Sequence, residues 1–494
     1  MKYRAKYAKY LIENSNRFAR EDEIISRYSL RGKKKATGIP IYYDAKGRLY
    51  VNQNSGSHSL IIGPTGCKKT TVEILLQVIT GLKNGVSQIV GDSKGEIYGA
   101  TVDIARKLGV EVKVLDLKKY AGDRWNPLSI IYDWWDTKKI DAENLLDDFI
   151  KRIVEPAENK NDKYWSDLAF NLIKALSVML LDSTKEKKYI NVKNVTNLIE
   201  EESYEQLCYL RSMLPKDSIE YVLLNGVLVG AKNTRSGIFS TAAEIMNQLV
   251  KNEALSNMML EDTMNISEIS EKSTIVYIIY PDESNTMNFL VNAFLSQAYQ
   301  IFVKIAEENN GKLKIPVDFI IDEFGNMPAI DGMSNRISKA RSMNIRYTLC
   351  IQSLQQLEEK YEGQAEVILS NCDTWVVFPS RESRLNERIA RIGGTICDYR
   401  GNVHNLIDAT KLQYLSKTNE YADVLIIGSQ IRPFVSRLYD YRHLKDDYFK
   451  DVKISRNKIY KPNKNITENN NEYVLDFHSW YKRVTHEFGG FKLI

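Results

Sequence analysis

The chain has 494 residues, 43% hydrophobic and 10% aromatic, and a net charge of +5. That is too long for one simple domain, and the apolar content is ample for packed cores. Its five cysteines (Cys67, Cys208, Cys350, Cys372, Cys397) form no C-x-x-C pair and its five histidines are dispersed, which argues against a disulfide framework, a zinc site or a metal cluster.

Residues 1–36 hold eleven Lys or Arg and four Asp or Glu, so this arm carries about +7 and the remainder is near neutral. Such an arm can touch nucleic acid or anionic lipid, or be only a solvated leader. "IPIYYDAKGRLYVNQ" (39–53) predicts a hairpin turning at "DAKG". Strand and helix signals then alternate. "HSLIIG" runs into the loop "GPTGCKKT" and a helix over "TTVEILLQVITGLKNG", and "SQIVGD" (87–92) and "VEVKVLD" (110–116) follow as strands. Apolar runs without strict alternation suit parallel strands buried on both faces, and their alternation with helices predicts a doubly wound α/β domain.

Residues 137–238 read as an all-helical insertion, and the α/β domain takes 37–136 and 239–445. Strands resume at "STIVYIIY" (273–280), "VDFIID" (317–322), "RYTLCIQ" (346–352), "TWVVF" (374–378) and "ADVLIIG" (422–428). Between the first two, "TMNFLVNAFLSQAYQIFV" (286–303) is the best apolar stretch, but Asn288, Asn292, Ser296, Gln297 and Gln300 make it too polar for a lone membrane span. It is expected to pack as a helix on the sheet, in a chain soluble by itself. A polar, Asn-rich tail occupies 446–494.

Three strand ends carry chemistry. From Gly63 to Thr70 the loop fits G-x-x-x-x-G-K-[ST] except that Lys68 stands where the second glycine belongs. Gly63, Pro64, Thr65, Gly66, Cys67, Lys68, Lys69, Thr70 and Thr71 are therefore the expected phosphate cradle. Its amides and helix N-terminus would face the phosphates, with Lys69 on the β/γ-phosphates and the Thr70 hydroxyl on Mg²⁺. "VDFIIDEFGNMP" (317–328) ends a buried strand in Asp322, expected to hold Mg²⁺, and Glu323, expected to polarise the attacking water. In "RYTLCIQSLQQL", Gln352 is the expected γ-phosphate sensor, and the basic segment before it offers an arginine finger for a neighbouring subunit. Each motif has a plainer reading: a strand-end carboxylate pair, a polar strand cap or a solvated helix face. Their occurrence together favours the nucleotide site.

Together with "GDSKGE" (91–96), "YWSDLA" (164–169), "ARSMNIRYTLCIQSLQQL" and "LSNCDTWVVF" (369–378), these motifs resemble TraG/TraD-type conjugative coupling proteins, the ATPases of type IV secretion systems, over roughly residues 40–440. The resemblance implies a RecA-like P-loop domain plus the helical insertion, with ATP and Mg²⁺ as cofactors. It implies nucleotide chemistry at Lys69, Thr70, Asp322, Glu323 and Gln352, and Arg341 as the finger. It also implies a homo-hexamer that binds DNA largely non-specifically, receives a relaxase or relaxosome and feeds a secretion channel. Many relatives begin with transmembrane helices and this sequence is read as having none, so a cytoplasmic protein is expected, peripheral at the cytoplasmic face of the membrane, either one of the soluble members or one that relies on a membrane-anchoring partner. A lysine at position 68 is expected either to crowd the phosphates or to swing outward and add charge, with nucleotide bound and turnover slow, so that Lys68→Gly would raise hydrolysis. The alternatives are an inactive adaptor that docks relaxosome components, and a cytoplasmic DNA translocase of similar fold.

Overall fold

The computed structural model describes residues 16–31, 37–52, 57–155, 163–199, 203–281, 285–327, 329–397, 400, 402–444, 446–450 and 470–488. Most of the basic arm, 1–15 and 32–36, and much of the polar tail, including 451–469, lie outside the described residues. The chain forms two units. The first is Met1–Val112, Glu268–Tyr277 and Val303–Tyr460, and the second is Lys113–Ser267, Ile278–Phe302 and Lys461–Ile494.

The first unit is built on a mixed, mostly parallel sheet. Eight of its strands run in the order Phe434–Tyr439, Tyr421–Gly428, Cys372–Val377, His58–Ile62, Ile345–Ile351, Val317–Ile321, Ser87–Gly91, Thr274–Ile279. His58–Ile62 pairs in parallel with Ile345–Ile351 and Cys372–Val377, and Val317–Ile321 pairs in parallel with Ile345–Ile351 and Ser87–Gly91. Every residue of His58–Ile62, Ser87–Gly91 and Val317–Ile321 is buried, which is why these segments read as largely apolar without strict alternation. The helix after the loop, Leu75–Lys83, is buried on all sides except Lys83 and is apolar nearly all round. At one edge the sheet turns antiparallel: Cys372–Val377 pairs with Tyr421–Gly428, which pairs with Phe434–Tyr439.

The N-terminal hairpin forms between Pro40–Tyr43 and Leu49–Val51. Asp44 Oδ1 accepts from the backbone N–H groups of Lys46 and Arg48, both at 2.9 Å, and Gly47 takes φ +72°. The "DAKG" turn thus works through an Asx side chain and a left-handed glycine.

The second unit is mainly helical, with long helices at Lys139–Val154, Lys163–Ser183 and Lys232–Val250. Trp165, from "YWSDLA", lies against Gly237, where an added Cβ would meet its ring at 2.8 Å. Buried Trp125 packs edge-on against Phe294 at 5.3 Å and donates its indole N–H to Gln297 Oε1 at 2.8 Å. Gln297 in turn donates to the Pro127 carbonyl at 2.8 Å, and Ser296 donates to Asp148 at 2.6 Å. Ser296 and Gln297 of the 286–303 stretch are therefore hydrogen-bonded inside a folded core. Among the described residues one helix, Phe289–Glu308, is long and apolar enough to cross a membrane, and 78% of its most apolar window is buried within the chain.

Candidate nucleotide site

The loop 63–69 leaves the carboxyl end of the central strand His58–Ile62 and enters a helical turn at Thr70. Gly63 is tightly enclosed: a Cβ there would meet Phe378 Cβ at 2.6 Å and Cys67 Sγ at 2.7 Å. Gly66 sits at φ +75° and Lys68 at φ +79°. Position 68 thus requires the left-handed backbone, which glycine adopts without penalty and a lysine holds at a cost of roughly 1–2 kcal/mol. Of the two placements expected from sequence, the Lys68 side chain does not take the one that crowds the phosphates. It turns outward, where its ammonium donates to the Asn419 carbonyl at 2.7 Å and to Asp440 Oδ2 at 3.0 Å.

Thr65, Gly66, Cys67, Lys68, Lys69, Thr70 and Thr71 line a cavity of about 230 Å³, closed on the other side by Asp92, Lys94, Glu96, Asp322, Glu323 and Arg442. Gly63 and Pro64 lie behind it and supply the carbonyls that accept from Lys69 Nζ, at 2.6 and 3.3 Å. A phosphate would compete with these two carbonyls for the Lys69 ammonium.

Thr70 and Asp322, 252 residues apart, meet through Oγ1 and Oδ2 at 3.4 Å. They do so because the loop strand and the Asp-Glu strand flank the same strand, Ile345–Ile351. Burial, and then the neighbouring Glu323 charge, push the Asp322 carboxyl up to about 7, with Lys69 opposing. A carboxylate so placed favours an arriving cation. Among the described residues no cluster of three or more His, Cys, Asp or Glu could hold a metal ion. One hydroxyl and one carboxylate suit a Mg²⁺ that arrives on nucleotide phosphates and keeps several waters, so the donor set fits.

Glu323 takes φ +60° immediately after Asp322. Its Oε2 accepts from Gln352 Nε2 at 2.7 Å and from Asn326 Nδ2 at 3.0 Å. Gln352, expected as the sensor, is thus tied to the expected base, and its strand end sits beside the cavity. Arg341 lies elsewhere. It precedes the strand Ile345–Ile351, whose other end carries Gln352. Seven strand residues span about 20 Å, so Arg341 is at the opposite end of the strand from its own cavity. Its side chain is 60% exposed and reaches Asp373, at 3.6 Å.

Some cavity residues were not expected from sequence. Asp92 is buried, and burial pushes its carboxyl up to about 6 although the Tyr98 N–H donates to it at 2.8 Å. Asp92, Lys94 and Glu96 all lie in "GDSKGE", a segment noticed as a family motif without a site role. Arg442, an arginine of the same subunit, also lines the cavity; its only sequence signal is a D-x-R triplet after the edge strand Phe434–Tyr439.

Fold and cavity define a RecA-like P-loop ATPase fold with a helical unit. Solved structures of TrwB share it at 15% identity. TrwB in complex with the GTP analogue GDPNP gives a TM-score of 0.61 over 86% of this chain and 94% of that one. TrwB with ADP and Mg²⁺ gives 0.60 over 90% and 94%, and TrwBdeltaN70, described as a bacterial conjugative coupling protein, with sulphate gives 0.60 over 86% and 93%. No curated protein matches the chain. A family model for conjugative DNA transfer by the type IV secretory system matches residues 8–397. The chain belongs to that family of coupling proteins.

Proposed function

We propose that the chain is an ATP-driven coupling protein that delivers DNA, or a relaxase–DNA complex, to a type IV secretion channel. The observation that carries this is the meeting of Lys69, Thr70, Asp322 and Glu323 around one cavity, with Gln352 hydrogen-bonded to Glu323, in a member of the conjugative-transfer family. In this reading the loop amides and Lys69 bind the ATP phosphates. Thr70 and Asp322 hold Mg²⁺, which when bound neutralises developing phosphate charge. Glu323 takes a proton from the attacking water, and Gln352 reports phosphate occupancy to it. The protein works as a homo-hexamer with Arg341 facing a neighbour's cavity. Residues 137–238 serve as the substrate-receiving helical insertion on the ATPase domain of 37–136 and 239–445, and a membrane-anchoring partner places the ring at the cytoplasmic face. TrwB's solved complexes with ADP and Mg²⁺ and with an ATP analogue support the choice of nucleotide.

The test is phosphate release measured with oligomer size, with and without single-stranded DNA. DNA-stimulated hydrolysis that disappears in Lys69→Ala is the expected result; ATP bound without any turnover would favour the adaptor reading. Turnover is expected to be slow, because Lys68 strains the loop at φ +79°.

DNA binding is expected to be sequence-independent and strongly salt-dependent. If about six phosphates are neutralised, affinity should fall about a thousandfold between ~50 and ~200 mM salt. Fluorescence anisotropy over that range checks it, and a flat response removes the electrostatic reading. Deleting 1–36 should reduce the slope; an unchanged slope would place the contacts in the ring lumen instead.

A further inference from the structure

Asp440 follows the edge strand Phe434–Tyr439 and is fully buried. Two cations converge on its carboxylate. Arg442 Nε reaches Oδ1 at 2.6 Å, Arg442 Nη2 reaches Oδ2 at 2.6 Å, and Lys68 Nζ reaches Oδ2 at 3.0 Å. The Arg442 backbone N–H also donates to Oδ1, at 3.1 Å. Against the effect of burial, these bonds hold the carboxyl well below the usual carboxylate range. Lys68 and Arg442 both line the cavity that holds Lys69, Thr70 and Asp322. Two positive charges on one carboxylate leave this trio with one net positive charge.

We propose that Arg442 is a phosphate-contacting residue supplied by the same subunit, and that Lys68 is the counter-ion that frees it from Asp440. The proposal rests on the ATP reading of the cavity. A guanidinium carries five N–H donors, and Asp440 engages only one face of this one, whose side chain is 36% exposed. An arriving polyphosphate, more highly charged than Asp440, competes for the fork. Were Arg442 the sole cation on Asp440, its departure would strand a buried carboxylate, which is strongly unfavourable. Lys68 removes that obstacle. It is already on Asp440 and anchored on Asn419, and it stays there when Arg442 moves. This also gives a physical reason for a lysine where the backbone asks for glycine: the side chain keeps Asp440 neutralised.

The experiment measures Mg-ATP affinity of the full chain by titration calorimetry, with thermal unfolding of each variant alongside. Arg442→Ala should weaken ATP about tenfold or more, as for loss of a charge-assisted hydrogen bond, and Arg442→Lys should recover part of the loss. Lys68→Gly should weaken ATP comparably even though it relieves the strained backbone, because Arg442 then remains on Asp440. If Arg442→Ala destabilises the fold, the Lys68→Gly and Arg442→Lys arms still decide. Wild-type affinity in Arg442→Ala, or tighter binding in Lys68→Gly, would overturn the proposal alone. A wild type that binds no ATP, and behaves like Lys69→Ala, would overturn the ATP reading with it.

Discussion

Glu323→Gln is expected to keep ATP bound and to lose hydrolysis by about 10²- to 10⁴-fold, the usual weight of a positioned general base. The substitution preserves size and removes the carboxylate proposed to accept a proton from water. Glu323 follows the buried strand at φ +60°, and its carboxylate is held by two side-chain amides, Gln352 at 2.7 Å and Asn326 at 3.0 Å. The glutamine variant can keep its carbonyl oxygen on those donors, so the cavity should survive. Lys69, Thr70 and Asp322, the proposed phosphate and Mg²⁺ ligands, are unaltered. Nucleotide titration should therefore match wild type within a few-fold, while steady-state phosphate release collapses. Hydrolysis at the wild-type rate would remove Glu323 from the role of base. Loss of both binding and hydrolysis would show that the two amide contacts are structural.

The strand ends were readable because their chemistry and their burial share one pattern. "VDFII" and "HSLII" are apolar since both sheet faces are covered, and each run stops where polar residues meet the cavity. The hairpin was readable from "DAKG", whose aspartate and glycine each have a defined backbone task. The outermost strand, Phe434–Tyr439, was not marked. It alternates buried and exposed residues, as an edge strand with one solvated face does, so it has no apolar run. Without that strand, Asp440 and Arg442 had no assigned place, and their approach to the loop could not be foreseen. Lys68 looked like a steric problem because sequence carries the residue type and not its φ or the direction of its side chain. Its partner, Asp440, is 372 residues away, a separation no local pattern encodes. The Gln352–Glu323 contact was hidden for the same reason. The two strands were each legible, but their parallel register, Leu349 against Ile321, is set by tertiary packing.

A 1:1 mixture of Arg341→Ala and Lys69→Ala proteins is expected to regain activity that neither parent has. Arg341 stands one strand length from its own cavity, about 20 Å at the usual rise per residue. Its exposed guanidinium has only a loose partner, Asp373 at 3.6 Å, and an exposed pair of that kind contributes little to stability. Its removal should therefore leave the subunit folded and its own cavity intact. If a ring carries each cavity to a neighbour's Arg341, the Arg341→Ala subunit offers a sound cavity and the Lys69→Ala subunit a sound finger. With random mixing, about one interface in four joins the two in the productive order, and a finger in trans is worth about 10³- to 10⁵-fold in turnover. The mixture should then reach a sizeable fraction of wild-type hydrolysis against parents near background. The measurement needs mixed assembly established first, by size and by exchange of labelled subunits. Inactive mixtures in assembled mixed rings would leave the cavity served from within its own subunit, where Arg442 is the cation in place to act.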